Sequence, residues 1–227
     1  MDDLASRLAD VDARIADAAR AAGRDPSTIT RIVVTKFHPA SLVADLHRLG
    51  VRDVGENRQQ ELTAKAGELT ALTDLRWHFI GQAQTKKARA IRAAASVVHS
   101  VDRDRLADAL EHAGEGADTL DVLLQINLTD DPDRGGATPA EIERLAAHVA
   151  GCRTLRVRGV MAVAPLDEAP AAAFERLAGY ADRVRTVVPD ADWISAGMTA
   201  DFAEAIAAGA THLRIGTAIT GQRPTRN

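Results

Sequence analysis

Short apolar, β-branched runs alternate with helix-like segments along nearly the whole chain, and this rhythm limits the fold more than any other feature. The runs fall at Arg31–Lys36, Arg52–Glu56, Arg76–Ile80, Ser96–Val101, Asp121–Leu128, Leu155–Ala162, Asp192–Ala196 and Thr211–Ile215. Stretches that are apolar at successive positions read as strands buried on both faces. Helical segments at 40–49, 57–70, 85–94, 103–114, 139–150, 170–187 and 200–208 separate them. Ahead of the first run, Leu4, Leu8, Val11, Ile15 and Ala18 recur at helical spacing and predict a leading amphipathic helix. Pro39 and Gly50 bracket one helix, and Thr138-Pro139-Ala140-Glu141 has the form of a capping box, with Gly151 following its helix. No Pro/Gly/Ser-rich linker divides the chain, so residues 1–227 read as one domain. An α/β chain of this length with eight strands predicts a single (β/α)8 TIM barrel carrying an extra N-terminal helix. An open doubly wound sheet also alternates; the count of eight favours closure, although the second and seventh runs carry weak strand signals.

Composition narrows the function. A formal charge of −4 argues against nucleic acid as the main partner. Cys152 is the only cysteine, which rules out an intramolecular disulfide and a thiolate zinc cluster. No apolar stretch is long enough to span a membrane, and Met1-Asp2-Asp3 lacks a signal peptide's charged-then-apolar layout. The expected location is cytoplasmic.

In a barrel the active site lies at the C-terminal ends of the strands, and phosphate often binds after the last two. At the first such end stands Lys36. Only four of the 28 basic residues are Lys (36, 65, 86 and 87), and the other three fall in polar, helix-like stretches. An amine, unlike a guanidinium, can lose its proton and add to a carbonyl. After the seventh run comes Ser195-Ala196-Gly197-Met198-Thr199, leading into the helix from Ala200; after the eighth comes Arg214-Ile215-Gly216-Thr217. Both turns offer glycine, hydroxyls and backbone N–H groups to an anion. The second and third runs end in Gly55-Glu56-Asn57 and Trp77-His78-Phe79-Ile80-Gly81-Gln82. An amine, an amide, an imidazole and a phosphate cradle on one face suit a cofactor with an aldehyde and a phosphate, and pyridoxal 5′-phosphate (PLP) is the evident candidate.

Seven segments in order carry a resemblance over nearly the whole chain. They are Val34-Thr35-Lys36, Gly55-Glu56-Asn57, Trp77-His78-Phe79-Ile80-Gly81, Gln125-Ile126-Asn127, Arg158-Gly159-Val160-Met161, Ser195-Ala196-Gly197-Met198-Thr199 and Arg214-Ile215-Gly216-Thr217-Ala218-Ile219. The chain resembles the PLP homeostasis protein family, the YggS/PROSC type with the alanine racemase N-terminal barrel. The resemblance implies PLP held as an internal aldimine on Lys36, and phosphate contacts from Ser195, Gly197, Met198, Thr199, Gly216 and Thr217. It further implies Arg214 facing the pyridine nitrogen, with Asn57, His78 and Ile80 close to the ring. Arg58, Gln82, Thr220, Phe37 and His38 depart from the usual pattern at the pocket rim.

Several residues have plainer readings. His78 projects away from its neighbours Trp77 and Phe79, and the residues alone leave open a barrel histidine or a cofactor contact; His99 and Asn127 read as lining. Met161 reads as core, and Cys152 as an incidental small residue whose pKa Arg153 and Arg156 would lower. Lys86, Lys87, Arg89 and Arg92 read as a solvated helix face, and 130–136 as a mobile loop able to cover the pocket.

Three functions follow. The first is a non-enzymatic PLP-binding protein that stores, buffers or delivers the cofactor inside the cell, partnered by PLP and apo PLP enzymes, without metal, as a monomer. The second is a PLP-dependent amino-acid racemase, which needs an acid/base on each face of the cofactor. The sole tyrosine, Tyr180, falls mid-helix and cannot serve there. The third is an aldolase-like Schiff-base barrel using Glu56 as its carboxylate, which the position of Lys36 and the family segments disfavour.

Overall fold

The computed structural model describes residues 2–114, 116, 118–131 and 134–222. Its strands are β1 Thr30–Val34, β2 Asp53–Glu56, β3 Arg76–Phe79, β4 Val97–Val101, β5 Leu120–Gln125, β6 Leu155–Met161, β7 Trp193–Ser195 and β8 His212–Ile215. All neighbours run parallel and β8 returns to β1, closing the barrel. The helices are α1 Asp2–Ala21, α2 Ala40–Arg48, α3 Gln59–Glu68, α4 Ala88–Ala94, α5 Asp104–His112, α6 Ile142–Ala150, α7 Pro170–Val187, α8 Phe202–Ala207 and α9 Thr217–Thr220. The two weak runs are genuine strands, held in register by Asp53↔Arg76 on one side and Met161↔Ser195 on the other. Helix α8 begins at Phe202 rather than Ala200, after Asp201 has capped the preceding turn. The capping box is present, with Thr138 and Glu141 bonded to each other's ends of the turn.

Because a strand's side chains alternate, each strand serves two cores. Val33, Val54, Trp77, Phe79, Val98, Val122, Leu124, Val160, Ile194, Leu213 and Ile215 point outward into the layer of helices. The opposite faces fill the barrel with an apolar cluster of Val97, Leu123 and Met161, so Met161 is core as expected. A glycine lets two strand ends approach at the top. A Cβ at Gly81 would lie 1.9 Å from the carbonyl oxygen of Asn57, so the chain after β3 passes directly over the chain after β2.

Candidate functional site

Lys36 stands two residues beyond Val34 on the inward alternation, half-buried at the barrel mouth. Its neighbours are pinned from α3. Thr35 donates its hydroxyl to Glu56 Oε1 at 2.5 Å, and Lys65 Nζ donates to Thr35 O at 2.8 Å and Glu56 Oε1 at 2.6 Å. On the other side, Phe37 holds a left-handed backbone, φ 68°, while its N–H donates to Glu61 Oε2 at 2.7 Å. A non-glycine residue in that region is strained, and Glu61 fixes it there. Arg58 lies 4.8 Å over the Phe37 ring, so two of the unusual rim residues pack on each other.

Lys65 therefore corrects the sequence reading. It is buried at 4% exposure, not part of a polar surface. The signal was available, since Leu62, Lys65 and Leu69 share one face of the helix. Glu56 points outward to this lysine and is fully buried; burial pushes its carboxyl up, partly offset by Lys65 and Thr35. It gives nothing to the barrel mouth, which removes the carboxylate an aldolase-like site would need.

Register sorts the other residues into levels. Val34, Gly55 and His78 lie level across β1 to β3, so Asn57 and Ile80, each two residues on, share the level of Lys36. Asn57 Oδ1 is buried without a hydrogen-bond partner among the described residues. His78 is one level deeper, wholly enclosed, with Nδ1 2.8 Å from His99 Nε2 and Nε2 2.9 Å from Asp53 Oδ1. His99 Nδ1 in turn lies 2.9 Å from Ser195 Oγ. Arg214 closes this line. Its Nη1 donates to Ser195 Oγ and Ser195 O, both at 2.7 Å, and its Nη2 donates to Ala162 O at 2.8 Å. Burial lowers Arg214 to about 10 against the opposing pull of Asp201, so it remains a cation. Burial keeps His78 low despite Asp53, and His99 well below its ordinary value.

The turns after β7 and β8 form the adjoining rim. Gly197 has φ 90°, and a Cβ there would meet the Ala205 Cβ at 2.7 Å. Met198 is exposed, and its N–H donates to Asp201 Oδ1 at 2.6 Å. Thr199 and Gly216 are half-buried and Thr217 exposed, at the start of α9. Ser195 differs from these, since it is fully enclosed below the rim. Thus the structure brings Lys36, Asn57, Ile80 and the two glycine turns to one end of the barrel, with His78 one level deeper and Arg214, level with Ile32 of the adjoining β1, bonded to the enclosed Ser195.

Beside this face, a groove of about 700 Å³ runs past Asn127, Asp130, Arg134, Glu168 and Arg176, and neither Lys36 nor Arg214 lines it. Of the expected covering loop, Pro132 and Asp133 lie outside the described residues. Two other expectations are corrected. Burial, Glu111 and Asp108 raise the Cys152 thiol, so it is not activated by Arg153 and Arg156. Arg92 leaves the solvated helix face to donate to Thr154 O at 3.0 Å and Asp118 O at 2.7 Å. Among the described residues, no group of acidic, His and Cys side chains could hold a metal ion, and no helix is long and apolar enough to cross a membrane.

A closed parallel barrel with a lysine just past β1 and a buried arginine in β8 is a barrel of the alanine racemase N-terminal type, and the family model for that domain matches residues 7–224. The pyridoxal phosphate homeostasis protein of Pseudomonas aeruginosa is 41% identical, covering 98% of this chain and 97% of its own. That of Mycobacterium tuberculosis H37Rv is 39% identical, covering 99% and 95%. Among solved structures, PipY of Synechococcus elongatus PCC7942 with PLP bound superposes with a TM-score of 0.84 at 33% identity, over 96% of this chain and 100% of that one. The chain belongs to the pyridoxal phosphate homeostasis protein family.

Proposed function

We propose that this chain is one barrel domain that binds pyridoxal 5′-phosphate through Lys36 and acts in PLP homeostasis within the cell, as a store, buffer or donor to apo PLP enzymes. The observation that carries the reading is Lys36 at the barrel mouth just past β1, its flanking backbone bonded to Glu61 and Lys65, with the buried Arg214 on the adjoining β8, in a chain whose relatives bear that name. When bound, the cofactor supplies an aldehyde that condenses with a primary amine and a phosphate that needs hydrogen-bond donors. The residues present fit such a group. Lys36 supplies the amine, Asn57 Oδ1 waits without a partner, and Ile80 provides an apolar wall at the same level. Gly197, Met198, Thr199, Gly216 and Thr217 surround the phosphate in this reading; Met198 contributes its N–H only by exchanging its bond to Asp201. Ser195 and His78 belong one layer below, where they hold Arg214 and His99.

A carrier is favoured over a racemase by two observations. Arg214 presents a permanent cation where the ring nitrogen is expected, and a cation there disfavours ring protonation and weakens the ring as an electron sink. Tyr180, the only tyrosine, lies on α7 outside the barrel with Arg183 5.7 Å over its ring. The protein is expected to be a cytoplasmic monomer. The test is the visible spectrum of purified protein with PLP, followed by borohydride reduction and peptide mapping. The expected result is one trapped adduct on Lys36, absent in Lys36→Ala. An adduct spread over Lys65, Lys86 and Lys87, or none, overturns the reading.

A further inference from the structure

The hydrogen-bonded line inside the barrel has a direction that its end groups determine. Asp53 at the foot of β2 carries a carboxylate, which only accepts; burial pushes it up, but the bond from His78 and the charge of Arg76 win and keep it ionised. His78 Nε2, 2.9 Å away, must therefore carry the hydrogen and donate to Asp53. A neutral imidazole has one donor and one acceptor, so Nδ1 of His78 accepts from His99 Nε2–H at 2.8 Å. Nδ1 of His99 must then accept, and among the described residues the hydrogen within its reach is that of the Ser195 hydroxyl at 2.9 Å. Ser195 Oγ keeps its lone pairs for Arg214, which only donates. Every proton in the line is placed. The charged and polar groups facing the two rings from β3, β5 and β8 are Arg76, Asp121, His212 and Arg214, and burial leaves both rings neutral among them.

Were the line reversed, Asp53 would have to donate, and Ser195 would accept from both His99 and Arg214. Its hydrogen would then be free to point upward, toward the level of Lys36. Arg214 tolerates either direction; Asp53 does not. We infer that Asp53, at the opposite end of the barrel from Lys36, is a positioning residue that keeps the Ser195 proton turned inward onto His99, so that Arg214 and not Ser195 is the donor presented to the ligand. This assignment removes Ser195 from the phosphate contacts that the resemblance implied. Its functional meaning rests on the PLP reading of the site, but the proton positions do not.

The test uses ligand-free full-length protein labelled with ¹⁵N-histidine, with long-range ¹H–¹⁵N spectra assigned through His78→Gln and His99→Gln. Both rings are expected as neutral Nε2–H tautomers at neutral pH. Asp53→Asn keeps the shape but lets the amide donate as well as accept, so both His99 nitrogens should shift toward the averaged position of a tautomer mixture. Ser195→Ala should leave His78 as it is in the wild type, since Asp53 still accepts from it. An Nδ1–H tautomer or an imidazolium at either ring in the wild type overturns the inference, as does an Asp53→Asn spectrum with His99 unchanged. If Asp53→Asn does not fold, the wild-type and Ser195→Ala spectra decide alone, and a changed His78 in Ser195→Ala overturns it. A failed Lys36 adduct with the expected tautomers would sink the cofactor reading and leave the proton order standing.

Discussion

Lys65 and Glu56 form the buried pair on which the pose of Lys36 depends. The lysine bridges Glu56 and the Thr35 carbonyl, and both lie directly behind the chain that carries Lys36. Removing one member of a buried pair leaves the other uncompensated and costs about 3–5 kcal/mol. Lys65→Met should therefore lower the urea midpoint by a loss in that range, while Glu56→Gln with Lys65→Met should recover much of it. A single variant within about 1 kcal/mol of wild type would mean that the pair does not brace the turn. The apolar face shared with Leu62 and Leu69 signalled the burial of Lys65, but the sequence alone did not reveal its partner. That partner sits on β2 and is oriented by a register the sequence does not state. Lys36 itself was legible, since a lone amine at the end of an apolar run has few structural uses. Ser195 was legible as a strand-end residue, but its enclosure below the rim was not, because that depends on where β7 ends.

The existence, type and order of the eight strands and of the helices between them were legible, with bounds that differ by up to three residues, as at the end of β5. Parallel strands covered on both sides must be apolar throughout, and the helices between them carry caps and helical spacing. Boundary differences arise where a polar side chain completes an element. Asp201 takes the Met198 N–H and delays α8, and the 3₁₀ turns at Thr85–Lys87 and Pro139–Glu141 precede α4 and α6. The single-turn helix α9 was not foreseen, since four residues carry no period. The turn from β7 into α8 depends on one glycine. Alanine at Gly197 meets both a left-handed φ of 90° and an Ala205 Cβ only 2.7 Å away. Strain and overpacking together predict a loss of about 2–4 kcal/mol for Gly197→Ala. Thermal denaturation checks this, and retention of PLP should fall with it because the turn displaces Met198 and Thr199. A variant as stable as wild type would mean that the turn relaxes freely.

At the scale of the whole molecule, the barrel interior combines two kinds of packing, and sequence could not separate them. Most strand positions are buried on both faces, so period-two patterning does not tell the inside of the barrel from its outer wall. Val97, Leu123 and Met161 fill the inside with apolar contacts, whereas Asp53, His78, His99, Ser195 and Arg214 fill the rest with a polar line. That choice makes the fold acid-sensitive. Burial lowers His78, His99 and His212, the last to about 3, so all three are neutral in the folded chain. In the unfolded chain they titrate near their ordinary value of about 6.5. Below that value the unfolded state binds more protons than the folded state, so stability is full above it and falls as pH drops toward the folded values. Glu56 works the other way, because its raised carboxyl favours the folded state as pH falls, but it is one group against three. His212 alone, with its folded value of about 3, should cost the denaturation free energy about 2 kcal/mol between about pH 7 and pH 5, and His78 and His99 act in the same direction, before most carboxylates titrate. His212→Gln should flatten that slope by removing one of the three groups. A stability that stays level from pH 7 to pH 5 would mean that water or a proton reaches the interior histidines in the folded state.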